Sequence, residues 1–478
     1  MKKGYLTVYL SLTIAIMLSL ILALFQNARI GAIKMKAECA ADISMNSVLA
    51  EYNRALFEKY DLLLTDCSYQ TDSPSMANVE EHLRYFMKGN FESTSVGRIT
   101  GSATLTGMTC DEVSIPAYSF ATDGEGAVLR RQILEYMRAD PVMDRISEAT
   151  ANLGVLAANG FDTYDVEACA AENRERIDEM LEDAPEIETD EGETEEPIPD
   201  NPADAVESQK GLGVVSLSVP DPSSVSVRTV DLDRYMSHRE NNRGTGLDES
   251  ENLSVTDRLL LNQYFVEKTG CYTEPKDDGL LKYQLEYIIA GKDCDYDNLE
   301  SCGRTLLFWR EASNFAYIMT DGVKVGEAEA LALILSAVIL MPELMEPFKM
   351  SILFAWSFAE SISDMRRLYL GGRVPLIKTA ASWQLSLENL PFFRDNLAGG
   401  GGDGLSYKDY LRMLLMLEDL DKKTARMGDI IEMDVRQSPG DGNFRLDWCL
   451  DIFEADMRLS SRYGFDMHLM RTYGYEKR

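Results

Sequence analysis

Two carboxylates four residues apart, Glu360 and Asp364, are the best candidates in this chain for acid–base chemistry. That spacing puts both on one face of a helix, where a carboxylate pair can donate and accept protons. Trp356 precedes them and Arg366 and Arg367 follow, so the same four charges also read as a structural salt-bridge face. A second candidate is the run Asp293, Cys294, Asp295, Tyr296, Asp297, with acids at the first three ligand positions of a calcium loop. The sixth position is Asn298 instead of Gly and the twelfth is Arg304 instead of Glu, so a turn leading into a helix fits better. The glycine-rich residues 397–404 are followed by Leu405 and Ser406, where a phosphate loop needs Lys and then Ser or Thr. They read as a mobile loop. HExxH, GxSxG and a strand-borne GxGxxG are all missing. The eight cysteines form no CxxC pair, and His82, His238 and His468 are isolated. No metal, cofactor or catalytic constellation is expected.

The elements that position these residues start with a membrane segment. Residues 5–25, from Tyr5 to Phe25, contain no charge. As a helix rising about 1.5 Å per residue, they reach across a hydrocarbon core of roughly 30 Å. In lipid only a helix satisfies its own backbone polar groups in such a segment. A cleaved secretory signal needs a shorter apolar core and a small-x-small site, so a retained anchor is expected. Lys2 and Lys3 precede the run, and Arg29, Lys34 and Lys36 follow it. The flanks therefore leave orientation to the large acidic remainder, which fits the outside: N-terminus cytoplasmic, bulk extracytoplasmic, at the cell membrane. A net charge of −32 opposes a nucleic-acid partner.

Past the lipid, Ile33, Ala37, Ala40, Ser44, Val48, Tyr52, Leu56, Tyr60 and Leu63 keep helical spacing. One helix is expected to run from the bilayer into water. Its apolar stripe must be covered either by the chain's own domain or by identical helices in an assembly. Four consecutive parts follow: residues 1–65, the transmembrane helix and its soluble extension; 66–181, an α+β segment; 182–212, an acidic linker; and 213–478, a mainly helical domain ending in a β-hairpin. Residues 112–120 read as an edge strand because Pro116 cannot donate to a ladder. Apolar spacing places helices at 255–269, 280–290, 298–319 and 407–435. The apolar runs 330–341 and 348–359 are too short to span a bilayer and read as buried core helices. Residues 444–452 and 465–471 alternate as a hairpin. Two strands alone are marginal, so it should share a sheet with 112–120. The fold class is mainly α (α+β), with a long N-terminal transmembrane helix and a small antiparallel sheet.

The start of the chain, Lys2-Lys3-Gly4 followed by Tyr5-Leu6-Thr7-Val8-Tyr9 and an apolar helix, resembles TadE/TadG-like pseudopilins of the tight-adherence (Flp pilus) system. There a basic leader is cut after Gly, which implies cleavage between Gly4 and Tyr5, and the helix both anchors and polymerises the subunit. Those precursors usually carry Glu five residues into the mature chain; here that position is Tyr9. Residues 285–299, 354–378 and 407–415 resemble an uncharacterised bacterial membrane-anchored family that accompanies such pilus components. The resemblance implies a non-enzymatic structural or accessory component of a pilus or secretion apparatus, partnered by the bilayer and by pilus or secretion proteins. Self-association stays open. The alternatives are a membrane-tethered envelope enzyme using Glu360 and Asp364, and a ligand-sensing domain.

Overall fold

A computed structural model describes residues 2–92, 107–139, 143–182, 187–188, 194–195, 201–247, 251–397 and 399–475. Helix outweighs strand by 62% to 11%, which makes the class mainly α with some β. The compact units are not the four consecutive parts expected from the sequence. One unit gathers Met1–Tyr136, Asp233–Leu253 and Gly428–Arg478; the other gathers Met137–Leu232 and Ser254–Met427.

The first unit is built on α1 (Lys2–Leu49), unbroken for 48 residues. Its apolar half, from Tyr5 through Phe25, is exposed except at the half-buried Thr13, with Tyr5 at 84%. Its other half is amphipathic, and Ile33, Ala37, Ala40, Ala41, Ser44, Met45, Val48 and Leu49 are buried. These pack with Val79, Leu83, Met87 and Phe91 of α3 (Met76–Glu92) and with the inner face of a sheet. The stripe is thus covered by the chain's own unit. α1 does not run on to Leu63 as expected. It stops at Leu49, and Asn53 starts α2 (Arg54–Tyr60) by accepting the Leu56 N–H at 2.9 Å. The Asn53 side chain satisfies a donor that a continuous helix would have bonded to its own carbonyl.

The sheet contains β1 (Thr65–Asp66), β2 (Met108–Phe120), β3 (Cys449–Ser461) and β4 (Phe465–Gly474). β3 is central: β2 runs antiparallel along one side, and β1 and β4 pair along the other. The hairpin is as expected from the alternation, and its sharing with residues 112–120 as expected from the weakness of two strands alone. The hairpin starts later than expected, because Leu446–Trp448 form a helical turn before β3. β2 is an edge strand, and its register shifts between Ser114 and Ala117, around Pro116. Part of its outer edge is covered: Tyr118 and Thr245 exchange both backbone N–H···O bonds, at 2.8 and 2.9 Å. At the neighbouring Gly244 a Cβ would collide with the Tyr118 carbonyl and the Asp123 carboxylate. Gly244→Ala should cost about 2 kcal/mol or more, read as a lower urea midpoint.

The second unit is helical. Its axis is α7 (Met345–Tyr369), flanked by α4 (Val166–Leu181), α5 (Asp295–Ile318) and α6 (Gly322–Val338), with α8 (Tyr407–Leu417) against α5. Residues 352–365 of α7 are buried on every side, as expected of a core helix. α6 differs from that expectation. Ala328, Ala332, Leu335 and Ile339 face inward, but Leu333, Ile334 and Val338 lie more than half exposed. The single long helix expected over 407–435 is two. The first ends at Leu417, with Glu418 extended after it, and Asp419 accepts the N–H groups of Asp421 and Lys422, both at 3.1 Å, starting Leu420–Val435.

Residues 183–186, 189–193 and 196–200 of the expected acidic linker lie outside the described residues. Its described end is folded: Asn201 caps the helix Pro202–Glu207, and Ala203 and Val206 are buried. Val214–Ser218 adds a further helical turn. Short apolar stretches between the acids were enough to dock.

Candidate functional site

Since residues 352–365 of α7 are buried all round, their polar side chains must find partners inside the protein. Glu360 and Asp364, one turn apart, are both essentially without solvent exposure. The arginines expected beside them, Arg366 and Arg367, are part-exposed and take no place in the cluster. The cations come from elsewhere. Lys378, in the segment after α7, reaches Glu360 at 2.5 Å and Asp364 at 2.7 Å. Arg310 of α5 donates to Asp364 through Nη2 at 2.9 Å and Nε at 3.2 Å. Asn314, one turn along α5, adds its amide at 3.0 Å.

The outer oxygens are occupied as well. Glu360 accepts the backbone N–H groups of Gln384 and Leu385, both at 2.9 Å. The Arg310 guanidinium also donates to the carbonyls of Pro375 and Leu376, at 2.9 and 3.0 Å. Burial raises the Glu360 carboxyl above its ordinary range. Burial acts the same way on Asp364, but Lys378 and Arg310 outweigh it and hold that carboxyl low. Two acids and two bases thus neutralise one another away from the surface. Glu360 and Asp364 each meet several donors and no open space. The network pins residues 373–386 to α5 and α7.

The calcium-loop candidate is split: Asp293 and Asp297 are exposed, while Asp295 and Asn298 turn inward. Asp295 is buried at the start of α5 and accepts from Ser226 Oγ at 2.6 Å, Lys282 N at 3.0 Å and Tyr283 N at 3.2 Å. Asn298 bridges the Lys292 N–H and carbonyl. Among the described residues no group of three metal-ligating side chains is placed to hold an ion. The glycine-rich residues around 399–404 pass against residues 370–375, and Arg373–Val374 pairs with Leu405–Ser406. Gly4 and Tyr5, the proposed cleavage pair, sit in the first turns of α1.

Two carboxylates that sequence reasoning missed are more unusual. Glu286 is fully buried. Its Oε1 accepts the Tyr272 N–H at 2.8 Å and the Tyr407 hydroxyl at 3.0 Å, while Oε2 has no partner. Burial lifts this carboxyl to about 7. Glu311 on α5 is 5% exposed and lifted to about 8 by burial. Lys210 opposes that rise, and Glu167, Asp165 and Glu207 add to it. Isolated glutamates within amphipathic helices carry no pattern that marks them as buried.

In the first unit a third set of charges ties distant segments together. Asp447 and Glu432, both fully buried, share Arg239 at 2.7 and 2.6 Å. Asp447 also accepts from Arg445 and from the Asn242 N–H. Burial would raise its carboxyl, but these donors hold it below its usual range. Asp451 of β3 is buried against Arg131 and Gln132. These contacts bring residues 233–253 and 428–478 onto residues 1–136.

Comparison with known proteins adds one result. A model of a family of unknown function, DUF5702, matches residues 192–461, more than half of the chain. The chain belongs to DUF5702. The DUF5702 region takes in the Glu360–Asp364–Lys378–Arg310 network, Glu286, Glu311 and β3, and leaves out the apolar half of α1 and strand β4. No curated protein and no solved structure matches the chain. Among the described residues one helix, Tyr5–Leu49, is long and apolar enough to cross a membrane.

Proposed function

We propose that this chain is a single-pass membrane protein whose extracytoplasmic body works as a structural or accessory component of a tight-adherence-type pilus or secretion apparatus, without catalysis. The observation that carries the reading is the continuity of α1. Its lipid-length half is bare, and its other half is built into the core of the first unit with no break between them. A helix of this kind transmits position and direction from bilayer to body, as an assembly component requires. The start of the chain supports the company it keeps, through the pseudopilin-like residues 2–9. The Glu360–Asp364 network supports a non-catalytic role, because its oxygens are committed to Lys378, Arg310 and backbone donors.

Deleting the gene should abolish pilus assembly and surface adherence, scored by electron microscopy and an adherence assay. Unchanged pili would count against the reading. Intact-mass analysis should find the mature chain beginning at Tyr5; substitution of Gly4 by a bulky residue should leave the leader attached.

A further inference from the structure

The turn between β3 and β4 lies beside α1 just past the apolar run. Arg29 of α1 stacks on two rings, with its Cζ 4.9 Å from the centroid of Phe25 and 4.2 Å from that of Tyr463 in the turn. Arg462 covers Tyr463 as well, at 4.9 Å, and donates through Nη2 to its hydroxyl at 2.6 Å. One tyrosine thus gathers two guanidinium groups against the last aromatic residue of the apolar run. The turn is ordered: Gly464 N–H donates to the Ser461 carbonyl at 2.9 Å, and Arg462 N–H to the Gly107 carbonyl at 3.0 Å. Gly107 has φ +52°, and a Cβ there would collide with the Arg462 side chain.

The height of this cluster follows from helix geometry. Arg29 is four residues past Phe25, about 6 Å along the axis. The headgroup layer adds roughly 5–8 Å to each side of the hydrocarbon core. With Phe25 at the hydrocarbon edge, Arg29, Arg462 and Tyr463 stand in the headgroup layer, the level where amphipathic aromatic rings and long cations settle. Charge agrees. In a chain of net charge −32, no acid occurs from Tyr5 to Ala37, while Arg29, Lys34 and Lys36 do. On the hairpin the nearest acid in sequence is Asp466. Among the described residues Arg29 has no carboxylate partner. Stacked on its two rings, the Arg29 guanidinium keeps its N–H edge for a phosphate, and Arg462 adds a second positive charge beside it.

We propose that Arg29, Arg462 and Tyr463 form a rim that binds the headgroup phosphates of anionic phospholipids and fixes the height of the first unit on the bilayer. This rests on the reading of residues 5–25 as a membrane span. The rim would hold an otherwise acidic body close to a surface that repels the rest of it, at about fivefold in lipid selectivity per arginine.

The test uses the full chain in nanodiscs of phosphatidylcholine and phosphatidylglycerol, with the photo-crosslinker benzoylphenylalanine replacing Tyr463. A control carries it at Phe57, exposed on α2 beyond the far end of α1. Position 463 should yield lipid adducts at least tenfold above position 57, enriched severalfold in phosphatidylglycerol over its bulk share. The R29Q/R462Q variant should bring that enrichment down to the bulk ratio, and R29K/R462K should keep most of it. Carbonate-resistant chain with no adducts at 463 overturns the rim and leaves the anchor standing. Adducts without anionic preference, or with a preference R29Q/R462Q does not change, overturn phosphate recognition by these arginines. Chain released by carbonate overturns the rim and the span together.

Discussion

Asp364→Ala should destabilise the second unit by about 3–5 kcal/mol, enough to make it unfold well before the first. The size follows from what is left behind. Asp364 accepts from Lys378, Arg310 and Asn314, none of which can reach water. Its removal strands two buried cations against a single carboxylate, and breaking a buried pair from one side costs on this order. Lys378→Met should cost a similar amount, because Glu360 would lose its cation and only Asp364 would keep one, Arg310. The double variant E360Q/K378M removes one charge of each sign and should lose less than K378M alone. Urea unfolding followed by circular dichroism checks all three. It also separates the rival reading of the acid pair: a catalytic pair tolerates E360A/D364A in the fold and loses an activity, whereas a structural network loses the fold first.

The second large effect is in pH. Glu286 and Glu311 titrate near 7 and near 8 in the folded chain, against 4.5 for an ordinary glutamate. The folded state therefore binds more protons than the unfolded state between pH 4.5 and 8, and stability falls as pH rises through that window. At 1.36 kcal/mol per unit, the loss is roughly 3 kcal/mol from Glu286 and up to about 5 kcal/mol from Glu311. Below that window the sign reverses. Asp364 and Asp447 are held low by their cations, so acidification toward and below their ordinary range protonates them and removes their contribution. Thermal melts should peak near pH 5 and decline toward pH 8. E286Q keeps the acceptor for Tyr272 and Tyr407 and supplies the neutral form permanently, so it should flatten part of the alkaline decline. E311Q should flatten more.

What the sequence made legible follows from the range of each signal. The membrane-length run and the alternation of β3 and β4 are local periodicities; the run is helical as its pattern requires, and the hairpin forms, with β3 beginning at Cys449 instead of Phe444. Pairing of residues 112–120 with the hairpin followed from the weakness of two strands alone. The end of α1 was not legible, because the stripe through Tyr52, Leu56 and Tyr60 continues across the break; one polar residue, Asn53, caps the new helix beyond it. The network around Glu360 and Asp364 was half legible. Their spacing announced a pair on one helix face, but Arg366 and Arg367 were the wrong cations. The right ones, Lys378 and Arg310, are 14 and 54 residues from Asp364, and no local rule reaches them. For the same reason the first unit could not be assembled from sequence. It is completed by residues 233–253 through Arg239, Asn242 and Thr245, contacts that span more than a hundred residues.

The most direct test of the account is to wash native membranes with alkaline carbonate and weigh the retained chain by intact mass. The account predicts that it stays in the pellet with the apolar helix attached, lacking at most the first four residues. A body found free in the medium, cut near Ala28, would contradict it.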